Sequence, residues 1–212
     1  MASACLPSAV PEQKVMRRTY DILADLLDYP SADISLPPDE WRELLGTDTP
    51  ALLSELLLFS EQSESLSLSD LQELYTRTFD LNPVCALEIG YHLFGENYKR
   101  GAFLANLRET EAPFDLNQEH QLPDYLPVLL RLLTRLDHDD LCNALIADCI
   151  IPALDKMLRM LGESENPYRH LLAAITALLR LETGSRTPNG QRAQLPVLQS
   201  VAFSAANNTD LF

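Results

Sequence analysis

The sequence predicts an all-α fold, a single globular bundle of about eight or nine helices, and three observations carry that expectation. Leucine dominates, while glycines number only 7 and β-branched runs are few, a composition that favours helices over strands. Apolar residues recur at helical rather than alternating spacing, with no internal repeat. Prolines and small polar residues stand where helices should begin. With 46% hydrophobic residues in a chain of 212, a sizeable core is within reach.

The segments follow in order. Residues 1–10 read as a frayed end, and a first helix spans about 12–29, stopped by Pro30. Its "RRTYDILADLL" superficially suggests an export signal with paired arginines. Asp21, Asp25 and Asp28 interrupt the apolar run, so an amphipathic helix is expected, with Ile22, Leu23, Leu26 and Leu27 inward and the aspartates outward. A short helix opens at Pro38 and closes before Gly46. A third is opened by Thr49 as cap and Pro50 at its first position. After a polar spacer over 63–69, "SDLQELYTRTFD" begins with Ser69 as cap. Asn82-Pro83 makes a turn, 84–94 reads as a helix ended by Gly95, and 97–110 as another containing Gly101. Long helices are expected over about 139–161 and 167–181, the latter with Asn166 as cap and Gly184 beyond its end. This gives one helical domain over 1–182 and a mobile polar tail over 183–212.

The 16 basic and 31 acidic residues leave a net charge of −15, and residues 1–80 alone hold 5 Lys/Arg against 15 Asp/Glu. That sign disfavours nucleic acid and anionic membranes and draws in basic partners, although plain solubility explains it equally simply. No apolar run approaches ~18 residues, so no membrane insertion is expected. Cys5, Cys85, Cys142 and Cys149 lack CxxC spacing, which fits reduced thiols in a cytoplasmic protein.

Catalytic patterns are missing: no phosphate loop, HExxH, GxSxG or paired-cysteine zinc motif occurs. His138, Cys142 and Cys149 share one side of a helix, but structural zinc needs four ligands and core packing is the simpler reading. Glu88 and His92, four apart, pair more readily as neighbours on a helix than as an acid–base dyad. No catalytic residue, metal or cofactor is assigned.

One stretch, "LPDYLPVLLRLL" at 122–133, sets Pro123 and Pro127 one helical turn apart at the head of an apolar helix. A residue before proline is pushed out of the α region, so Leu122 and Leu126 are expected to be extended or turn-like, with the helix starting near Pro127. Asp124 then stands just ahead of it, able to accept from free N–H groups or to meet an arginine. As a mere helix start or as a preorganised binding edge, the stretch reads equally well.

Four motifs in order are similar to the nitrate reductase delta-subunit family, the NarJ-type chaperones of the wider TorD/DmsD group. They are Tyr75-x-x-x-Phe79-Asp80, Gly95-Glu96, Arg100-Gly101 and Leu122-Pro123-Asp124-x-Leu126-Pro127, within a match from about Leu71 to Leu181. The resemblance implies a cytoplasmic, non-catalytic helical protein, and a monomer is expected. Its partner would be the apo catalytic (molybdopterin) subunit of a molybdoenzyme, bound through its N-terminal segment or twin-arginine leader while molybdenum cofactor is inserted, before export or membrane attachment. A permanent structural subunit of the oxidoreductase is the alternative. Tyr75, Leu87, Glu88, Tyr91, Pro123, Asp124 and Tyr125 are the expected peptide-binding residues. Phe79, Asp80, Arg100, Gly101 and Pro127 are expected to be structural, with Gly101 permitting close packing and Arg100 pairing with Asp124 or Asp80.

Overall fold

The computed structural model describes residues 10–31, 38–45, 49–116, 120–136 and 139–185. Along these the chain forms α1 (Val10–Leu27), α2 (Pro38–Leu45), α3 (Pro50–Glu64), α4 (Leu68–Tyr75), α5 (Ile89–Phe94), α6 (Tyr98–Glu111), α7 (Leu126–Leu133), α8 (Asp139–Ala144), α9 (Ile151–Leu161) and α10 (Pro167–Ser185). The fold is an all-α bundle. Among the described residues the single extended pairing is an isolated antiparallel bridge between Glu88 and Tyr125. Residues 186–212, most of the expected tail, lie outside the described set, as do Cys5, Gly46 and His138.

Several helix starts follow from their sequence. Pro50 occupies the first turn of α3, where its missing N–H is no loss. Asn166 caps α10 by accepting from the Tyr168 N–H at 3.1 Å. Thr49 stands at the N-cap position of α3 as expected but makes no side-chain cap bond, its hydroxyl donating back to the Leu45 carbonyl at 3.4 Å, and one expected cap is corrected. Ser67, not Ser69, caps α4: its Oγ accepts from the Asp70 N–H at 3.2 Å and donates to the Asp70 carboxylate at 2.7 Å, so the cap and the third helical residue hold each other. Helix α10 also runs on through Gly184 to Ser185.

The expected helix over 84–94 is replaced by a short 3-10 turn at Pro83–Cys85, an extended step, and then α5 alone. The expected long helix over 139–161 contains a π turn at Leu145–Ile150, with the Ile151 N–H reaching the Ile146 carbonyl. Pro152 accounts for it. A proline ring clashes with the carbonyl four residues back and offers no N–H, and one wide turn relieves both faults. A second π turn, Thr76–Asp80, continues α4.

One continuous core runs from Tyr20 to Leu179. Helix α10 lies chiefly along α3, α1 along α7, and α5 against α6 and α9. Helix α7 is buried along its whole length, Arg131 included. It is the axial element, and both its ends are tied by arginine–aspartate pairs.

Candidate functional site

The two prolines act on opposite sides of Asp124. Leu122 to Tyr125 form a tight turn closed by the Tyr125 N–H on the Leu122 carbonyl at 3.0 Å, with Pro123 at the position where its fixed φ fits best. Tyr125 is the extended cap of α7 (φ −69°, ψ 124°), and Leu126 is already helical, one residue earlier than expected. Pro127 sits in the first turn.

The extended backbone left between the prolines pairs with residues 87–89. The Ile89 N–H donates to the Asp124 carbonyl, and the Leu126 N–H to the Leu87 carbonyl, both at 2.9 Å. This pairing holds 86–88 extended and delays α5 to Ile89. Here a tertiary contact overrides local helix propensity.

The Asp124 carboxylate is fully buried. Its Oδ2 accepts from the Gly90 N–H at 3.1 Å and from Arg100 Nε and Nη2, each at 3.0 Å. Of the two carboxylates expected for Arg100, Asp124 is therefore the partner. Its Oδ1 is buried with no hydrogen-bond partner among the described residues. Burial raises the Asp124 carboxyl above the ordinary carboxylate range, and Arg100 opposes that shift without cancelling it.

The glycine that this arrangement requires is Gly90. A Cβ there would stand 2.5 Å from Asp124 Oδ2 and 3.1 Å from the Phe103 ring. The close-packing role expected of Gly101 is corrected: Gly101 is exposed, and a Cβ on it would meet nothing within 4 Å.

Tyr75 and Tyr125 form the neighbouring buried pair. Their hydroxyls are 3.0 Å apart; the Tyr75 hydroxyl also reaches the Leu27 carbonyl at 3.1 Å, and the Tyr125 hydroxyl also hydrogen-bonds the Asp28 carboxylate. Burial pushes both phenols above their ordinary range, so both stay neutral donors. Tyr75 also packs edge-on against Phe79, Tyr29 and Tyr168, with centroids 5.0 to 5.7 Å apart.

The seven expected partner-binding residues therefore divide. Tyr75, Leu87, Pro123, Asp124 and Tyr125 are buried in this conformation, while Glu88 and Tyr91 are half-buried at the surface. Arg100 lies 6.0 Å from the Tyr91 ring centroid, within cation–π reach. The Glu88 carboxylate makes no hydrogen bond or ion pair among the described residues, and His92 directs its Nε2 to a backbone carbonyl instead. His92 Nε2 meets the Ala86 carbonyl at 2.7 Å, a contact that needs an N–H there, and burial lowers the imidazole below its ordinary value. That geometry offers no acid–base dyad.

Cys142 and Cys149 are core side chains, the thiol of Cys149 raised by burial. Among the described residues no group of three or more His, Cys, Asp or Glu converges on a metal position, and no helix is long and apolar enough to cross a membrane.

The aspartates of α1 lie on its more exposed side, as expected, and each is also taken by an arginine of the 131–135 segment. Arg131 Nη2 donates to Asp25 at 2.6 Å and to Asp28 at 2.7 Å, and Arg135 Nη1 to Asp21 at 2.6 Å. These aspartates lie along the seam between α1 and α7. The 4 and 3 spacing of the acids, facing arginines four apart, is the signal that sequence reasoning could have used.

Against known proteins, the nitrate reductase delta subunit family matches residues 39–174. The chain is also 28% identical over 163 residues to the probable nitrate reductase molybdenum cofactor assembly chaperone NarJ of Bacillus subtilis (strain 168), covering 76% of this chain and 88% of that protein.

Proposed function

The chain belongs to the nitrate reductase delta subunit family, and from that premise we propose that it is a molybdoenzyme assembly chaperone without catalytic activity. It binds the N-terminal segment of an apo catalytic subunit in the cytoplasm, as a monomer, and holds that subunit while cofactor is inserted. The observation that carries this reading is the match to an assembly chaperone along most of both chains. The site chemistry agrees with it. At the α5–α7 junction Asp124, Tyr75, Tyr125 and His92 are engaged in hydrogen bonds, and the Glu88 carboxylate has no hydrogen-bonded base or nucleophile beside it.

In this reading Asp124, Pro123, Leu87, Tyr75 and Tyr125 are the frame, and Glu88 and Tyr91 on its rim touch the client. Glu88 supplies a carboxylate for an arginine, and Tyr91 an aromatic face. Preorganisation is what the frame contributes: the rim sits on a staple with little entropy left to lose on binding.

Co-expression with a molybdoenzyme catalytic subunit tests the proposal. The chain should co-purify with the cofactor-free subunit and be absent from the finished enzyme. Stoichiometric presence in the active oxidoreductase would replace it with a permanent subunit. Glu88→Gln combined with Tyr91→Ala should weaken capture of the apo subunit while leaving the fold intact.

A further inference from the structure

A shallow trough runs between α4 with its π turn and the corner where α9 gives way to α10. Its two adjoining depressions, of about 530 and 450 Å³, share Leu74, Arg77 and Glu165. Leucines and Met160 line it, the methionine 59% exposed, and an apolar seam open to water favours a cover. The acids around it are unevenly engaged. Asp70 is held by the Ser67 cap at 2.7 Å, and Glu73 meets Arg77 only at 4.0 Å. Glu165 is exposed and makes no hydrogen bond or ion pair among the described residues.

The chain beyond α10 has the composition to cover this seam. From residue 186 to 209 it holds two arginines, Arg186 and Arg192, and no acid. Arg192, Leu195, Leu198 and Val201 recur every third residue, which sets them on one side of a polyproline-type chain. Pro196 favours that extended form at Leu195. The distance fits as well. The trough borders the start of α10 at Pro167, and the 19-residue helix carries the chain about 28 Å away from it at 1.5 Å per residue. A polyproline-type chain returns that distance in about nine residues at 3.1 Å each, and Leu195 stands ten beyond Ser185.

We propose that the 192–201 segment runs back along α10 and covers the trough of its own chain. Leu195 and Leu198 sit on Leu74 and Met160, and Arg192 sits on Glu165. Charge complementarity selects this occupant, since a stretch with two bases and no acid meets an excess of carboxylates. Tethering fills the contact. An attached segment meets its site at an effective concentration of order millimolar, so an interaction too weak to join two molecules is occupied within one. The inference does not rest on the chaperone reading.

The test uses the full chain carrying Cys5→Ser, methyl-labelled at Leu and Met, with a nitroxide attached through Ser200→Cys. Cys85, Cys142 and Cys149 are buried and stay unlabelled. The Met160 and Leu74 methyl signals should be broadened by the nitroxide and recover when it is reduced. Tethering alone also brings the label near the bundle, so two variants isolate the seating. Leu195→Ser/Leu198→Ser keeps the tether and should restore both signals. Glu73→Arg/Glu165→Arg, changed at exposed positions, should restore them too and keep its thermal midpoint. Broadening absent at Met160 and Leu74, or persisting in the Leu195→Ser/Leu198→Ser chain or the Glu73→Arg/Glu165→Arg chain, overturns the proposal. Broadening that appears when nitroxide and labelled methyls are on separate chains also overturns it, because the segment would then cover a second copy.

Discussion

Helix α7 carries an arginine–aspartate pair at each end, and the two are built inside out. At its head the acid is buried: the Asp124 side chain is 0% exposed and Arg100, at the rim, is 22%. At its tail the base is buried: the Arg131 side chain is 5% exposed, and its partners Asp25 and Asp28 are 67% and 38%. The head contacts are 3.0 Å and the tail contacts 2.6 and 2.7 Å, but the larger difference lies in what remains when a partner is lost. Removing the rim cation strands a carboxylate in the core. Removing the buried cation releases carboxylates that water can still reach. Breaking a buried pair from one side is costly because of the charge left behind, not because of the contact removed.

The largest expected effect is therefore Arg100→Met. It should destabilise by about 3–5 kcal/mol in denaturant unfolding. The pH dependence sharpens this. Asp124 is raised by burial and held back by Arg100, so without Arg100 its folded pKa rises further. A carboxyl with a raised folded pKa contributes stability that is present below the unfolded value of 3.8 and lost as pH rises through the folded one. The gap between wild type and Arg100→Met should accordingly narrow as pH falls toward 4. A gap constant from pH 7 to 4 would mean that the stranded carboxyl is not the cause.

Gly90→Ala comes next, at about 1–3 kcal/mol. The added methyl would press on Asp124 Oδ2, an oxygen already fixed by three donors and unable to yield. Gly101→Ala is its control: it lies in the interior of an exposed helical stretch with open space around it, and should be neutral or slightly stabilising. Thermal melts of the two variants make the comparison, and similar losses from both would refute the placement of the staple.

How far the sequence disclosed all this depends on the range of the signal. Pro38, Pro50 and the Asn166-Pro167 pair mark helix starts because capping is settled within one turn. The all-α class and the amphipathic α1 are equally local. The break at 86–88 was not visible, since it exists only because Asp124 and Tyr125, more than thirty residues on, pair with that backbone. For the same reason Gly90 could not be told from Gly101: the atoms that forbid a side chain at Gly90 come from α6 and the 122–125 turn. The π turn before Pro152 had a local signal in the proline itself, but the apolar pattern carried on through it.

The smaller effects belong to the tail of α7. Arg131→Met replaces a buried guanidinium by an apolar chain of similar length and leaves Asp25 and Asp28 partly solvated, so a loss of about 1 kcal/mol is expected, well below that of Arg100→Met. Asp25→Asn should cost less again, under about 0.5 kcal/mol. Its carboxylate is mostly in water, and Arg131 keeps Asp28 as a charged partner at 2.7 Å. Repeating that measurement in high salt separates screening from geometry. The small Asp25→Asn loss should shrink with salt, since an exposed pair is screened, while the Arg100→Met loss should persist because ions do not enter the core around Asp124. Equal salt sensitivity in the two variants would mean that the ends of α7 are not built differently after all.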